Sequence, residues 1–188
     1  LAYELNKIFL EVIIANGFDK KALEILKIKK NLRLIDSSKL IMNENFRLNS
    51  INNSILIQSE DKKIFSKKDF KVVSKIKPTN SQFENLIFAF NMCRYVKSNA
   101  IVLATNKTII GIGSGQPSRL DSCEIAINKM KKFSHLRENI VAASDAFFPF
   151  VDGIEKLVNA GVTAVIQPGG SIRDKEIIKF ANETNTVL

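Results

Sequence analysis

The residues that build metal centres and nucleophilic triads are scarce in this chain of 188 residues, which has two cysteines, Cys93 and Cys123, and one histidine, His135. The cysteines lie far apart and no CxxC occurs, which argues against a disulfide framework and against a zinc site. They read as two small buried apolar residues in a reducing compartment, the cytoplasm. His135 lies in the polar segment "KKFSHLREN" with no triad partner or metal set nearby. A hydrolase built on it is unsupported, and a surface position is expected. No apolar run reaches the roughly 18 residues that a membrane span requires. The start, "LAYELNKIFLEVIIANG", lacks the basic opening and continuous apolar stretch of a secretion signal. An initiator methionine is lacking as well, and with the apolar ending "NTVL" this suggests a piece of a longer chain.

What is present is enough to fold. With 45% hydrophobic residues the chain can bury a core, which excludes global disorder. The net charge of +9 is uneven: residues 1–80 hold 16 Lys/Arg against 9 Asp/Glu, and residues 81–188 hold 12 against 10. Lysine pairs such as Lys20–Lys21, Lys29–Lys30 and Lys67–Lys68 have no interleaved aromatics. They read as a solvated surface, with neither nucleic acid nor membrane as partner.

Hydrophobic periodicity alternates between strand and helix. "LEVIIA" (10–15) reads as a buried strand, "DKKALEILKIK" as a helix capped by Asp19, and "NLRLID" (31–36) as a strand. Residues 39–80, with "SILIQ" and "FKVVS", read as short strands and loops joining two compact parts. A helix is expected over 81–96, with a capping box of Ser81 and Glu84 and a core face of Phe83, Leu86, Ile87 and Phe90. Strands then follow at "AIVLA", "TIIGIG", "NIVAASD" and "VTAVIQ". Helices begin at Ser118 with Asp121, at "VDGIEKLVNAG" and at Ser171 with Asp174. The alternation predicts an α/β fold with a mostly parallel sheet covered on both faces.

In such a sheet ligands gather where strands lead into helix N-termini. Three loops qualify: "GSGQPSR" (113–119), "SDAFFPFVD" (144–152) and "QPGGS" (167–171). None has GxGxxG spacing and no GK[ST] occurs, so a dinucleotide or triphosphate signature is absent. The middle loop admits two readings. Its phenylalanines and Pro149 form a flat apolar wall for a planar heterocycle with Asp152 accepting from ring nitrogens, or they plug the sheet end while Asp152 caps the next helix.

Four motifs in register, "VKSNAIV", "GIGSGQPSR", "SDAFFPFVDG" and "QPGGSIRD", resemble the transformylase part of the AICAR transformylase/IMP cyclohydrolase family. "FLEVIIA", "KKNLRL" and "KPTNSQFENLIFAF" extend the resemblance over nearly the whole chain. It implies a cytidine-deaminase-like three-layer fold. Residues 1–38 would be the tail of a first repeat, 39–80 a connector, and 81–188 most of a second repeat. The zinc-ligand pattern of true deaminases, H-x-E with P-C-x-x-C, is absent. The resemblance further implies formyl transfer from 10-formyltetrahydrofolate to AICAR in purine biosynthesis, in a homodimer and without a metal. Asn99 matches the asparagine that orients the substrate carboxamide and helps stabilise the transition state. Phe147, Phe148 and Pro149 match residues that pack on substrate and folate, Asp152 matches the aspartate on the pterin ring, and Arg119 and Leu120 border the folate site. The family's Lys-His pair for proton transfer is not in this chain, and Val151 stands where an arginine is usual. The chain alone is therefore expected not to turn over. The alternative is a non-catalytic module that binds a folate or a nucleotide.

Overall fold

Four apolar segments of the second half pair into one sheet: β5 (Ile101–Thr105), β6 (Thr108–Gly113), β7 (Ile140–Ser144) and β8 (Val162–Ile166), in the order β6-β5-β7-β8. The computed structural model describes residues 1–40, 46–135 and 138–188. It divides into two compact units, Leu1–Glu60 and Asp61–Leu188.

The expectation of a mostly parallel sheet is corrected here. Within this four-stranded sheet only β7 and β8 pair in parallel; β5 runs antiparallel to both β6 and β7. The reason is local. Two residues, Asn106 and Lys107, join β5 to β6, with φ of 47° and 54°. So short a link makes a hairpin of the primed type and cannot make a parallel crossover.

Successive residues of a strand face opposite sides of the sheet. Ile101, Leu103, Ile140 and Ala142 face a core shared with α4 (Arg119–Phe133), α5 (Val151–Asn159) and α6 (Asp174–Glu183). Val102, Ala104, Val141 and Ala143 face α3 (Asn80–Cys93) through Leu86, Ala89 and Cys93. The second unit is thus a three-layer α/β/α stack.

Helix boundaries shift from the sequence reading where another residue makes the better cap. Before α3, Thr79 accepts from Gln82 N while Gln82 Oε1 accepts from Thr79 N, at 3.2 and 3.0 Å. "TNSQ" offers this capping box two residues before Ser81. Ser118 caps α4 as expected, and Gly161, at φ +95°, follows the end of α5. α6 begins at Asp174, whose carboxylate accepts from Gly170 N and Ser171 N. "FKVVS" forms no strand; Val73 N and Ser74 N donate to Leu188 O instead.

In the first unit, α1 (Ala2–Asn6) precedes β1 (Val12–Ala15). α2 (Lys20–Leu26) links β1 to its parallel partner β2 (Arg33–Asp36), and Asp19 caps α2 through Ala22 N at 2.6 Å. The expected burial of β1 does not hold. Val12 and Ile14 are 44% and 65% exposed, because this two-stranded sheet has one uncovered face. β3 (Phe46–Ile51) and β4 (Ser54–Ser59) form an antiparallel hairpin.

Among the described residues no helix is long and apolar enough to cross a membrane, and no group of three or more His, Cys, Asp or Glu is placed to hold a metal ion. His135 is exposed just past α4. Cys93 and Cys123 are free and buried. Burial raises both thiols from 9.0 to about 12, with the Asp145 charge adding to the rise at Cys93. The thiolate is the reactive form, so its fraction at a given pH falls about a thousandfold. At pH near 8 the folded chain should show no fast reaction with a thiol reagent, and both cysteines should react once denaturant is added. Rapid labelling of either cysteine in the folded chain would contradict this packing.

Candidate functional site

The strand register brings the three sequence loops to one rim. Ile101, the first residue of β5, lies opposite both Gly113 and Ser144, and Ala143 lies beside Ile166. The ends of β6, β7 and β8 therefore share an edge with the start of β5, and Asn99 lies two residues before Ile101.

A cleft of about 480 Å³ opens at this rim. Asn99, Arg119, Leu120, Phe147, Phe148, Pro149 and Asp152 all line it. The seven residues with roles implied by the resemblance are thus in one place, although they lie up to 53 positions apart; the third loop, 167–171, does not line this cleft.

The aromatic loop divides between its two readings. Phe147 and Phe150 are 40% and 49% exposed, and Phe150 lies under the Arg173 guanidinium, 4.6 Å from ring centre to carbon. Phe148 is 1% exposed and belongs to the core. Its ring packs against Gly153, where a Cβ would come within 2.7 Å of it, and its N–H donates to Gln167 Oε1 at 2.7 Å. Phe148 therefore anchors the loop, while Phe147 and Pro149 face outward. Asp152 is exposed in the first turn of α5, where it stabilises the helix N-terminus, and Oδ1 accepts from Gly153 N.

The polar side of the cleft is a connected network. Arg119, the first residue of α4, donates through Nη2 to Asn99 Oδ1 at 2.8 Å. Through Nη1 it donates to Ser144 Oγ at 2.9 Å and to Asp145 Oδ1 at 2.6 Å. The Arg119 and Asp145 side chains are 10% and 20% exposed. Asp145 also accepts from Ala100 N at 3.1 Å and from Ser98 Oγ. Asn99 donates through Nδ2 to the carbonyls of Gln116 and Pro117, at 2.9 and 3.0 Å. Ser122 Oγ donates to Asn99 O at 2.8 Å. The Ser98–Asn99 peptide bond is cis. Burial pushes the Asp145 carboxyl up, but the bonds from Ser98, Arg119 and Ala100 outweigh it and hold the group below its ordinary value.

Ser98, Gln116, Ser144, Asp145 and Gln167 lie in the motifs and loops that the sequence marks, but spacing alone assigns them no individual role in this arrangement. Asp145 was visible as a charge at the end of an apolar strand. Its partner is 26 positions away, beyond what local spacing can reveal.

Fold and rim together define a class: an α/β domain with a cleft, aromatic on one wall and hydrogen-bonding on the other, at the ends of its strands, where folds of this kind gather their ligands. The chain belongs to the AICARFT/IMPCHase bienzyme family, whose model matches residues 1–129. It is 43% identical over 187 residues to the bifunctional purine biosynthesis protein PurH of Chlorobium chlorochromatii. Identity to the proteins of the same name from Caldicellulosiruptor saccharolyticus and Aquifex aeolicus is 45% over 188 residues and 46% over 182. These matches cover 100%, 100% and 97% of the chain but 36%, 36% and 35% of those proteins. The chain thus spans about a third of the length of these relatives.

Proposed function

We propose that the chain supplies part of an AICAR transformylase site in purine biosynthesis. In that reading the second unit is most of a cytidine-deaminase-like repeat, residues 1–38 are the tail of another, and residues 39–80 connect them. One observation carries the reading: the seven residues with matched roles line a single cleft.

Phe147 and Pro149 offer a flat apolar surface to a folate's pterin ring, and Asp152 accepts hydrogen bonds from its N–H groups. Asn99 orients the AICAR carboxamide. The 5-amino nitrogen of AICAR attacks the formyl carbon of 10-formyltetrahydrofolate and forms a C–N bond. The tetrahedral adduct then collapses with cleavage of the bond to N10. The amine's proton leaves and N10 gains one, giving formyl-AICAR and tetrahydrofolate.

Proton transfer needs a group this cleft does not supply from its own histidine. Arg119 opens α4 and His135 follows its end, so a helix of 15 residues, about 22 Å long, separates them. The 188 residues alone therefore bind without turning over. The complete site includes groups from elsewhere in a longer polypeptide and from the second subunit of a homodimer.

Titration of the chain with AICAR and with tetrahydrofolate should show saturable binding without formyl transfer. In a full-length polypeptide carrying this chain, Asn99→Ala should lower formyl transfer by about 100-fold, the scale of a misoriented reactant. Absence of saturable binding for both ligands, or an Asn99→Ala enzyme with unchanged turnover, would remove this reading.

A further inference from the structure

We infer that Asp145 is a positioning residue: it holds Arg119 so that Arg119 fixes the orientation of the Asn99 side-chain amide, leaving the carbonyl oxygen of that amide as its one group open to the cleft. A primary amide has two N–H donors and a carbonyl oxygen with two lone pairs. Both Asn99 donors are engaged by the Gln116 and Pro117 carbonyls. One lone pair of Oδ1 is engaged by Arg119 Nη2. What remains is the second lone pair, an acceptor.

The amide cannot turn over while Arg119 stays in place. Rotation by half a turn would set N–H against the guanidinium and oxygen against two carbonyls. Arg119 in turn is held on its far side by Asp145 Oδ1 and Ser144 Oγ. Ser144 Oγ donates to Ala146 O at 2.7 Å, which leaves its lone pairs for Arg119. Asp145 is itself tied to the start of β5 through Ala100 N and to Ser98. The chain of contacts therefore runs from Asp145, just past β7, through the first residue of α4, to Asn99, two residues before β5.

A ligand group placed at Asn99 must then be a hydrogen-bond donor. A carboxamide or amine N–H satisfies the open lone pair, whereas a carboxylate in the same place meets oxygen with oxygen. This selectivity rests on the transformylase reading, but the positioning by Asp145 does not.

Two measurements on the 188-residue chain test the inference. The first is hydrogen exchange at the Asn99 side-chain amide, followed by NMR. Asp145→Asn should speed it by about tenfold or more, because the amide is freed from its two carbonyls when Arg119 loosens. Arg119→Lys keeps a cation beside Asp145 but cannot bridge it to Asn99, and should act alike if Asp145→Asn does not fold. Unchanged exchange in a folded variant of either kind overturns the inference.

The second measurement compares AICAR with its analogue carrying a 4-carboxylate in place of the carboxamide. The parent chain should favour the carboxamide by about tenfold or more, and Asp145→Asn should reduce that preference to about twofold. A preference equal in the two proteins counts against Asp145. If the parent chain binds neither compound, the transformylase reading fails, and the exchange experiment still decides the positioning.

Discussion

Gly113→Val is expected to prevent the second unit from folding. A Cβ at position 113 would lie 1.8 Å from the Ser122 carbonyl oxygen, and one at Gly111 would lie 2.3 Å from that of Ala126. In both cases the obstacle is helix backbone, which cannot swing aside as a side chain can. β6 and α4 approach closely because both surfaces are small: two glycines on the strand, Ser122 and Ala126 on the helix. Overpacking a core costs about 1–3 kcal/mol, and a clash with backbone belongs at or above the top of that range. Against a total stability of about 5–15 kcal/mol, this is a large share of what holds the domain. Gly113→Ala should lower the unfolding free energy by about 3 kcal/mol in a urea titration, and Gly113→Val by more. Gly115→Asn serves as the control. At φ +69° Asn is tolerated, and the nearest atom to a Cβ there is a Lys97 side-chain carbon at 3.7 Å. A Gly113→Ala protein with the parent's midpoint would show that α4 does not sit this close. The effect also reaches the cleft, since Ser122 Oγ bonds Asn99 O and moves with the helix.

Arg119→Ala is the second large effect. The substitution removes the cation from a largely buried pair and leaves the Asp145 carboxylate with only Ala100 N and Ser98 for partners. Breaking a buried pair in this way costs about 3–5 kcal/mol; the 20% exposure of Asp145 places the expected loss at about 3 kcal/mol. Adding Asp145→Asn should restore part of it, because an unpaired amide is cheaper to bury than an unpaired charge. The pH dependence follows from the lowered Asp145 value. A carboxyl held below its unfolded value of 3.8 contributes stability above that pH, and loses it as the pH falls through the folded value. The parent protein should therefore lose stability on acidification below about pH 4 more steeply than Arg119→Ala. Equal slopes and equal midpoints would mean that the pair is not formed.

Much of this molecule was legible before its fold was known. The strands at 101–105, 108–113, 140–144 and 162–166 follow from apolar runs of five or six residues bounded by Asn, Gly and Ser. Ser118 was legible as a cap because capping acts over three residues. The antiparallel hairpin of β5 and β6 is legible too, in the two-residue link Asn106-Lys107, which outweighs the general alternation of strands and helices. The exposed face of β1 is not legible in its apolar run, although the reading of residues 1–38 as the tail of a repeat implies a strand without its neighbours. An apolar run signals that a strand can be buried, and cannot say whether a neighbour is present to bury it.

The sequence by itself determined the residue chemistry at the cleft, the likeness to one family, and the strands and helices between residues 80 and 166, though not those of the first 80 residues as a whole. All of these depend on residue identity or on spacing within a few positions. Only the tertiary structure decided that Phe148 points into the core while Phe147 points out, that Asp145 and Arg119 form an ion pair, and that the Asn99 amide has its donors engaged. Those outcomes depend on strand register and on the distance between β6 and α4, which bring together groups 17 to 47 positions apart. Contacts over such separations leave no trace in local pattern, because the chain can satisfy its local preferences equally well in many global arrangements.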